Sequence, residues 1–267
     1  MYDLTYNKAK SCDAARDLLA SAEDGKLLAG GMTLIPTLKQ RLAAPDMLVD
    51  LGDIEEFNRI TLSDNNLQIG AMATHAMVSR HDMVRANLPG LADLAGKIGD
   101  PHVRNRGTIG GSVANNDPAA CYPAALLATD DIILTDQQNY AAKDFFVGMF
   151  ETALDMNEII TAIEFPLDQT CAYVKCPNPA SRYALAGVCV ARRNDGQVKV
   201  AVTGAGQDGV FRAGDIEVAL EESFAPDALD HLSIDPDMLL SDMHADADFR
   251  AYLVVQMAKQ AVMKLQV

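Results

Sequence analysis

The chain has 267 residues, of which 49% are hydrophobic, and its formal net charge is −15. A chain of this length and apolar content can bury a core for one large domain or two smaller ones. The acidic excess excludes nucleic acid and anionic membrane surfaces as general partners, because both are negatively charged. We therefore expect a globular protein that binds any anionic ligand through local donor groups.

The N-terminus and the cysteines indicate a cytoplasmic protein. The segment MYDLTYNKAK lacks the apolar run of a signal peptide, and no apolar stretch is long enough to span a bilayer. Five irregularly spaced cysteines are typical of reduced thiols. Cys171 and Cys176 have the first spacing of an iron–sulfur sequence, but Pro179 stands where the third cysteine would be needed. We predict no metal site in this chain.

Hydrophobic periodicity predicts a β-α-β beginning. Ser11 is expected to cap a helix that runs through Ala22, because apolar residues recur there at intervals of three and four. KLLAG and DMLVDLG are predicted strands on either side of a helix in TLIPTLKQRL, with Pro36 tolerated in its first turn. This order favours a partly parallel sheet.

The middle of the chain mixes short strands and helices. RITLSDNNLQIGAMAT predicts a hairpin that turns at Asp64–Asn66, followed by helices at His75–Arg85 and Leu88–Ile98. GTIGGSVAN is predicted as a strand and turn, and AACYPAALLAT as a helix. Two further strands are expected at Asp131–Leu134 and Glu158–Phe165.

The segment from Pro166 to Thr170 is the best candidate for a domain boundary, since a proline and polar residues follow a strand. Beyond it we predict strands in YALAGVCVARR and QVKVAVTGA, with a turn at Asn194–Gly196, and a closing helix over Ala247–Leu265. Two domains of unequal size result, residues 1–166 and 170–267.

The segment GAGQDG satisfies the glycine spacing of a dinucleotide-binding turn and follows a predicted strand. A dinucleotide fold also needs a helix that begins inside the motif, and Gly209 and Gly214 interrupt the sequence there. We therefore interpret it as a glycine-rich turn.

Two other segments, AGGMTLIP and GTIGGSVANNDP, each contain a glycine pair near a hydroxyl residue. In an acidic chain, a diphosphate needs donors without side-chain bulk, and backbone N–H groups in glycine turns are such donors. Thr33, Thr108 and Ser112 could add hydroxyl donors. The alternative is that both segments are ordinary tight turns.

With these motifs, the sequence resembles the FAD-binding medium subunit of the molybdenum hydroxylases, the group of aerobic carbon monoxide dehydrogenases and relatives of xanthine dehydrogenase. The resemblance covers nearly the whole chain, including NEIITAIEFP, YVKCPNPASRYALAGV and SDMHADADFRAYLVVQMAKQAV. It implies an α+β fold that begins with an FAD-binding domain of the vanillyl-alcohol-oxidase (PCMH) type, with subdomains of about 1–53 and 54–166. A smaller α+β C-terminal domain would follow.

The resemblance also implies the cofactor site. In that family both glycine segments enclose the FAD diphosphate, and further residues lie near the cofactor. The residues carried over are Leu28, Ala29, Gly30, Gly31, Met32, Thr33 and Leu34 from the first segment, Thr108, Ile109, Gly110, Gly111 and Ser112 from the second, and Asp117, Ile160 and Lys175. We expect a side chain at Gly31 or Gly110 to block the diphosphate while leaving the fold largely intact.

The implied function is electron transfer. No catalytic acid or base motif stands out in the chain, so we expect FAD to pass electrons from 2Fe–2S clusters to an acceptor such as a quinone or NAD. The clusters and the molybdenum pterin would lie on a small and a large partner subunit, in a dimer of heterotrimers. Two alternatives remain: a stand-alone flavin-dependent oxidoreductase of the same fold, or an assembly module that has lost its cofactor.

One position departs from the family. Relatives commonly read ADPAAD where this chain has NDPAAC, so Cys121 stands where an aspartate would accept a hydrogen bond from the cofactor. A thiol is a poor acceptor. Either another group such as Asp117 makes this contact, or FAD is held more weakly here.

Overall fold

The computed structural model describes residues 1–63 and 65–266. The chain begins with a parallel sheet of three strands in the order β1-β3-β2. The predicted β-α-β order is confirmed, and a first strand that the sequence analysis missed joins it. These elements are β1 (Thr5–Lys8), α1 (Cys12–Ser21), β2 (Gly25–Leu28), α2 (Leu34–Lys39) and β3 (Met47–Asp50). The Ser11 hydroxyl caps α1 by accepting from the N–H of Ala14, as its position predicted.

A second sheet has five strands in the order β4-β5-β10-β6-β7. Six helices occupy the long connection from β5 to β6, and a short helix and a small hairpin lie between β7 and β10. The elements in chain order are β4 (Ile60–Ser63), β5 (Asn66–Gly70), α3 (His75–Arg80), α4 (Asp82–Asn87), α5 (Pro89–Gly96), α6 (Pro101–Arg106), α7 (Ile109–Asn115), α8 (Cys121–Thr129), β6 (Ile132–Thr135), β7 (Asn139–Ala141), α9 (Ala142–Phe145), β8 (Phe146–Gly148), β9 (Glu151–Thr152) and β10 (Ile160–Pro166).

Several predictions for this part are confirmed and two are wrong. The hairpin forms between β4 and β5, although Asp64 in its predicted turn lies outside the described residues. The helix predicted over His75–Arg85 is interrupted at His81, whose backbone is extended. The segment GTIGGSVAN is not a strand and turn but the helix α7, which Thr108 caps through its hydroxyl.

The third sheet has four antiparallel strands in the order β11-β12-β13-β14, and two helices follow it. Helices α5 and α8 contact this sheet, and so does α11. The sheet contributes buried residues to two separate hydrophobic clusters, since Tyr173 belongs to one and its neighbour Val174 to the other. The elements are β11 (Gln169–Pro177), β12 (Ala184–Arg193), β13 (Val198–Thr203), β14 (Phe211–Arg212), α10 (Gly214–Glu222) and α11 (Ala247–Leu265).

The bounds of the closing helix are those predicted from its periodicity. Asp246 caps it, because its carboxylate accepts from the N–H of Phe249 at 2.8 Å. The segment GAGQDG is a turn region between β13 and β14, as predicted, and no dinucleotide-binding helix begins within it. No helix in the described part of the chain is both long and apolar enough to cross a membrane.

Candidate active site

A cavity of about 620 Å³ lies between the two glycine segments. Residues from all parts of the chain form its wall. The first segment contributes Ala29 to Leu34, the second contributes Thr108, Gly110, Gly111 and Ser112, and the C-terminal part contributes Lys175 and Ser181 to Tyr183. The volume falls within the roughly 300–1,000 Å³ that is usual for ligand sites.

The first glycine segment presents open backbone donors. It connects β2 to α2, and no hydrogen bond within the described chain uses the N–H groups of Gly30, Gly31, Met32 or Thr33. Thr33 precedes α2, and its hydroxyl does not cap that helix. Consecutive free N–H groups form an anion-binding concavity without any side-chain charge.

Glycine is required in this segment for two different reasons. Gly31 has φ of 70°, a left-handed conformation that residues with side chains adopt only at a cost. At Gly30, a Cβ would overlap the backbone carbonyl of Arg106 at the end of α6. The first loop is therefore packed against the chain that leads into the second segment.

The second segment is organised differently, because its backbone donors are already used. The N–H groups of Ile109 and Gly110 donate to the carbonyls of Ala73 and Ala71, at 3.0 and 2.9 Å. The N–H of Gly111 donates to the Thr108 hydroxyl at 3.1 Å. This segment forms part of the cavity wall and contributes the Ser112 side chain, whereas the N–H groups without a hydrogen-bond partner in the described chain lie in the first segment.

The two glycines of α7 also differ from each other. A Cβ on Gly110 would lie 2.5 Å from the Cβ of Ala71 and 2.8 Å from its carbonyl oxygen. The expectation that a side chain at Gly110 leaves the fold intact is therefore wrong, because that glycine packs against backbone. A Cβ on Gly111 would lie 2.9 Å from the Thr108 hydroxyl and 3.4 Å from Ala29, between the two segments.

Lys175 brings a positive charge to the cavity wall. Its ammonium donates to the carbonyl of Arg182 at 2.8 Å and lies 3.5 Å from the Sγ atom of Cys121. Arg182 has φ of 64°, so this carbonyl belongs to a left-handed residue on the loop between β11 and β12. Cys121 is only 5% exposed and is the first residue of α8.

Other titratable side chains in the wall are buried or engaged. Burial raises the pKa of the Asp117 carboxyl, and one of its oxygens accepts from the N–H of Ala119 at 2.9 Å. Burial, together with the nearby Arg104, lowers the pKa of His75 to about 4, so its imidazole is neutral at physiological pH. The carboxylate of Glu158 accepts from Tyr140 at 2.7 Å and from the N–H of Asp155 at 2.8 Å. The arrangement suits holding a cofactor better than abstracting a proton.

The structure brings together thirteen of the fifteen site residues predicted from the sequence. Leu28 and Ile109 do not line the cavity: Ile109 is fully buried in the large hydrophobic cluster, and Leu28 ends β2. His75, Glu158 and Tyr183 also line the cavity, although no sequence motif predicts them as site residues. Each comes from an element whose sequence carries no glycine or phosphate signature, so only their position in the fold identifies them.

These features fit a long cofactor that contains a diphosphate. The cavity has a glycine loop with unused N–H donors, hydroxyl groups at Thr33 and Ser112, and an ammonium at Lys175. Its apolar wall includes Leu51 and Ile160, which suits an uncharged ring.

Comparison with known proteins agrees with this assignment. The family described as the FAD binding domain in molybdopterin dehydrogenase matches residues 2–168. The chain is 31% identical to the nicotine 6-hydroxylase medium subunit of Paenarthrobacter nicotinovorans, over 98% of this chain and 96% of that protein. It is 32% identical to the carbon monoxide dehydrogenase medium chain of Hydrogenophaga pseudoflava, with 96% and 95% covered.

Solved structures show the same fold. Reconstituted carbon monoxide dehydrogenase from Oligotropha carboxidovorans contains a chain that matches with a TM-score of 0.90 and 30% identity, covering 98% of this chain and 97% of that chain. The predicted α+β fold class is confirmed, and so is FAD as the cofactor.

Proposed function

Because the chain belongs to the family of FAD-binding domains found in molybdopterin dehydrogenases, we propose that it is the FAD-carrying electron-transfer subunit of a molybdenum-containing hydroxylase. It would take electrons from the 2Fe–2S clusters of a partner subunit and pass them to an external acceptor. The observation that supports this most directly is the cavity between the two glycine segments, with its open N–H groups at Gly30 to Thr33.

The residues of this chain would bind and orient the cofactor. We propose that the N–H groups and hydroxyl of the first segment hold the diphosphate, and that α7 closes the opposite side. Lys175 would place its charge beside the ring system, and the apolar wall would exclude water. When bound, FAD supplies the redox chemistry, since it accepts and donates electrons. The thirteen predicted residues that line the cavity remain proposed cofactor-binding residues.

The domain boundaries and the partner subunits are part of the same proposal. The passage from the second sheet to the third, between Pro166 and Gln169, supports domains at 1–166 and 170–267, with the first divided near residue 53. The relatives are named medium subunits or medium chains. We propose an iron–sulfur small subunit and a molybdenum large subunit as partners, in a dimer of heterotrimers in the cytoplasm.

Purification of the tagged chain from its source cells tests this function. We expect two further chains to co-purify, with iron, molybdenum and FAD in stoichiometric amounts. Native mass spectrometry gives the masses, and metal analysis gives the ratios. A chain recovered only as a monomer or with copies of itself, and free of iron and molybdenum, would contradict the proposal and favour a stand-alone flavoprotein.

A further inference from the structure

Lys175 brings an ammonium to the cavity between the two glycine segments, and no carboxylate of the described chain pairs with it. Its side chain is half-buried and lines this cavity. The ammonium contacts two other groups of the wall, the carbonyl of Arg182 at 2.8 Å and the Sγ atom of Cys121 at 3.5 Å. Neither a carbonyl nor a thiol neutralises a full positive charge. The charge is therefore available to a molecule in the cavity.

Lys26 and Arg182 also line the cavity, but solvent screens both of them. Each of these side chains is exposed. Lys26 also pairs with Asp24 at 2.9 Å, and the Arg182 guanidinium donates to the carbonyl of Gly99 at 3.5 Å. Water and salt weaken the interactions of exposed charges more than those of partly buried ones. Of the three cations, Lys175 is the one that solvent screens least.

The N-terminus of α8 adds a partial positive charge at the same place. The helix begins at Cys121, and Ala120 before it has no side-chain oxygen to accept from the N–H groups of the first turn. Both residues line the cavity, and the N–H groups of Cys121 and Tyr122 have no acceptor in the described chain. The carboxyl of Asp117 lies in the same wall, but burial raises its pKa and so favours the neutral acid. This part of the wall therefore favours a negatively charged group.

A cofactor whose charge changes on reduction responds to such a wall. The oxidised ring of FAD is uncharged, whereas the fully reduced ring is an anion when it holds two additional electrons and one additional proton. A fixed positive charge beside the ring stabilises the anion, and this interaction is strong where little water is present. By thermodynamic linkage, tighter binding of the reduced form than of the oxidised form raises the reduction potential.

We propose that Lys175 sets the reduction potential of the bound cofactor, because its ammonium stabilises the anionic, reduced ring. Cys121 is a positioning residue in this arrangement, since its uncharged side chain leaves the ammonium beside it un-neutralised. This inference rests on the function proposed above: the electrons come from the clusters of the partner subunit, and the proton comes from solvent.

The competing arrangement is a contact between Lys175 and the diphosphate. The diphosphate carries the same charge in both oxidation states of FAD. A contact to it would therefore strengthen the binding of both states equally and would leave the reduction potential unchanged. The potential thus separates the two arrangements, whereas the affinity for oxidised FAD does not.

Two pairs of variants change the charge at this place in different ways. Lys175→Gln removes the ammonium, and Lys175→Arg is its matched control because it keeps the charge. Cys121→Asp places a carboxylate beside the ammonium, since the two side chains are already in contact. Cys121→Asn is its matched control, because it has nearly the same size and shape without the charge.

The experiment measures the reduction potential of the full FAD-loaded chain, by anaerobic reduction in the presence of a redox dye of known potential. In Lys175→Gln and in Cys121→Asp, the affinity for reduced FAD relative to oxidised FAD should fall at least tenfold. For a two-electron couple this lowers the potential by about 30 mV. In Lys175→Arg and Cys121→Asn, the ratio should stay within roughly threefold of the parent value. Titration with oxidised FAD, followed by flavin fluorescence, gives the affinity of each variant.

Three results would overturn the inference: an unchanged potential in Lys175→Gln, an equal fall in Lys175→Arg, or the same effect from Cys121→Asn as from Cys121→Asp. Weaker binding of oxidised FAD to Lys175→Gln without a change in potential would assign the ammonium to the diphosphate instead. If circular dichroism or FAD content shows that one variant does not fold or does not bind FAD, the other pair is judged by the same criterion. A parent chain that binds no FAD contradicts the proposed function, whereas FAD-loaded variants with unchanged potentials contradict only the role of Lys175.

Discussion

Gly110 and Gly111 are adjacent in α7, yet a methyl group added at Gly110 should lower the stability of the fold, whereas one added at Gly111 should lower the affinity for FAD. In Gly110→Ala, the new Cβ would lie 2.5 Å from the Cβ of Ala71 and would strain the 2.9 Å hydrogen bond from the Gly110 N–H to the Ala71 carbonyl. Overpacking costs about 1–3 kcal/mol, and a weakened hydrogen bond adds about 1 kcal/mol. Alanine regains about 0.5–1 kcal/mol as the better helix former. Together these contributions predict a net loss of about 1–3.5 kcal/mol in the free energy of unfolding.

In Gly111→Ala, the methyl group enters the space between the two segments. It would meet the Thr108 hydroxyl at 2.9 Å and Ala29 at 3.4 Å, and the helix preference of alanine offsets part of that contact. The free energy of unfolding should stay within about 1 kcal/mol of the parent value. FAD affinity should fall at least tenfold, or about 1.4 kcal/mol, because the methyl group narrows the cavity where we place the diphosphate.

Two measurements on the same preparations separate these effects. Urea unfolding of cofactor-free protein, followed by far-ultraviolet circular dichroism, gives the stability. Titration with FAD, followed by flavin fluorescence, gives the affinity. If Gly110→Ala were as stable as the parent, the close approach of α7 to Ala71 would be refuted. If Gly111→Ala bound FAD as tightly as the parent, the diphosphate would not lie between the two segments.

Three further predictions concern the cofactor and the core. Acid precipitation should leave all of the flavin in the supernatant, because neither glycine segment contains a Cys or His that could attach it covalently; a yellow pellet would contradict non-covalent binding. Cys121→Asp should slow FAD release several-fold, because it restores a hydrogen-bond acceptor near Lys175, while Cys121→Ala should change the release rate little. Stopped-flow measurement of FAD release compares both variants with the parent. Faster release from Cys121→Asp would refute the expectation. Burial raises the pKa of Asp131 well above its usual value, so the folded state favours the neutral acid even though the Thr129 hydroxyl donates to it at 2.8 Å. The associated stability is fully present below the unfolded pKa of about 3.9 and is lost as pH rises through the higher folded value. Asp131→Asn should therefore match the parent in urea unfolding at acidic pH and exceed it at alkaline pH, and a gap that does not widen with pH would refute the burial argument.

The local sequence determined most of the elements that carry a regular pattern. The closing helix over Ala247–Leu265 was predicted because apolar side chains recur along one face. The strand pair around the turn at Asn194–Gly196 was also predicted, since it combines strand-forming residues with a glycine turn. Each of these signals comes from residues close together in the chain.

Tertiary packing determines the elements that local sequence patterns did not predict. The strand β11 (Gln169–Pro177) lacks a clear alternation, because α5 covers the sheet on one side and α11 on the other. The helix α7 contains two glycines and β-branched residues, which disfavour a helix. It forms because Thr108 caps it and because Gly110 fits against Ala71, a contact between residues far apart in sequence.

The cofactor site likewise has features that were predicted from the sequence and features that only the tertiary structure decided. The resemblance of the sequence to a known family implied that the two glycine segments would line one site and that Lys175 would lie near it. Tertiary structure alone decided that only the first segment keeps its N–H groups free, because those of the second are used by Ala71, Ala73 and Thr108. It also decided that Lys175 meets Cys121 across 54 residues of sequence. Hydrogen-bond partners and contacts between distant segments depend on how the sheets pack, and no local sequence pattern records that packing.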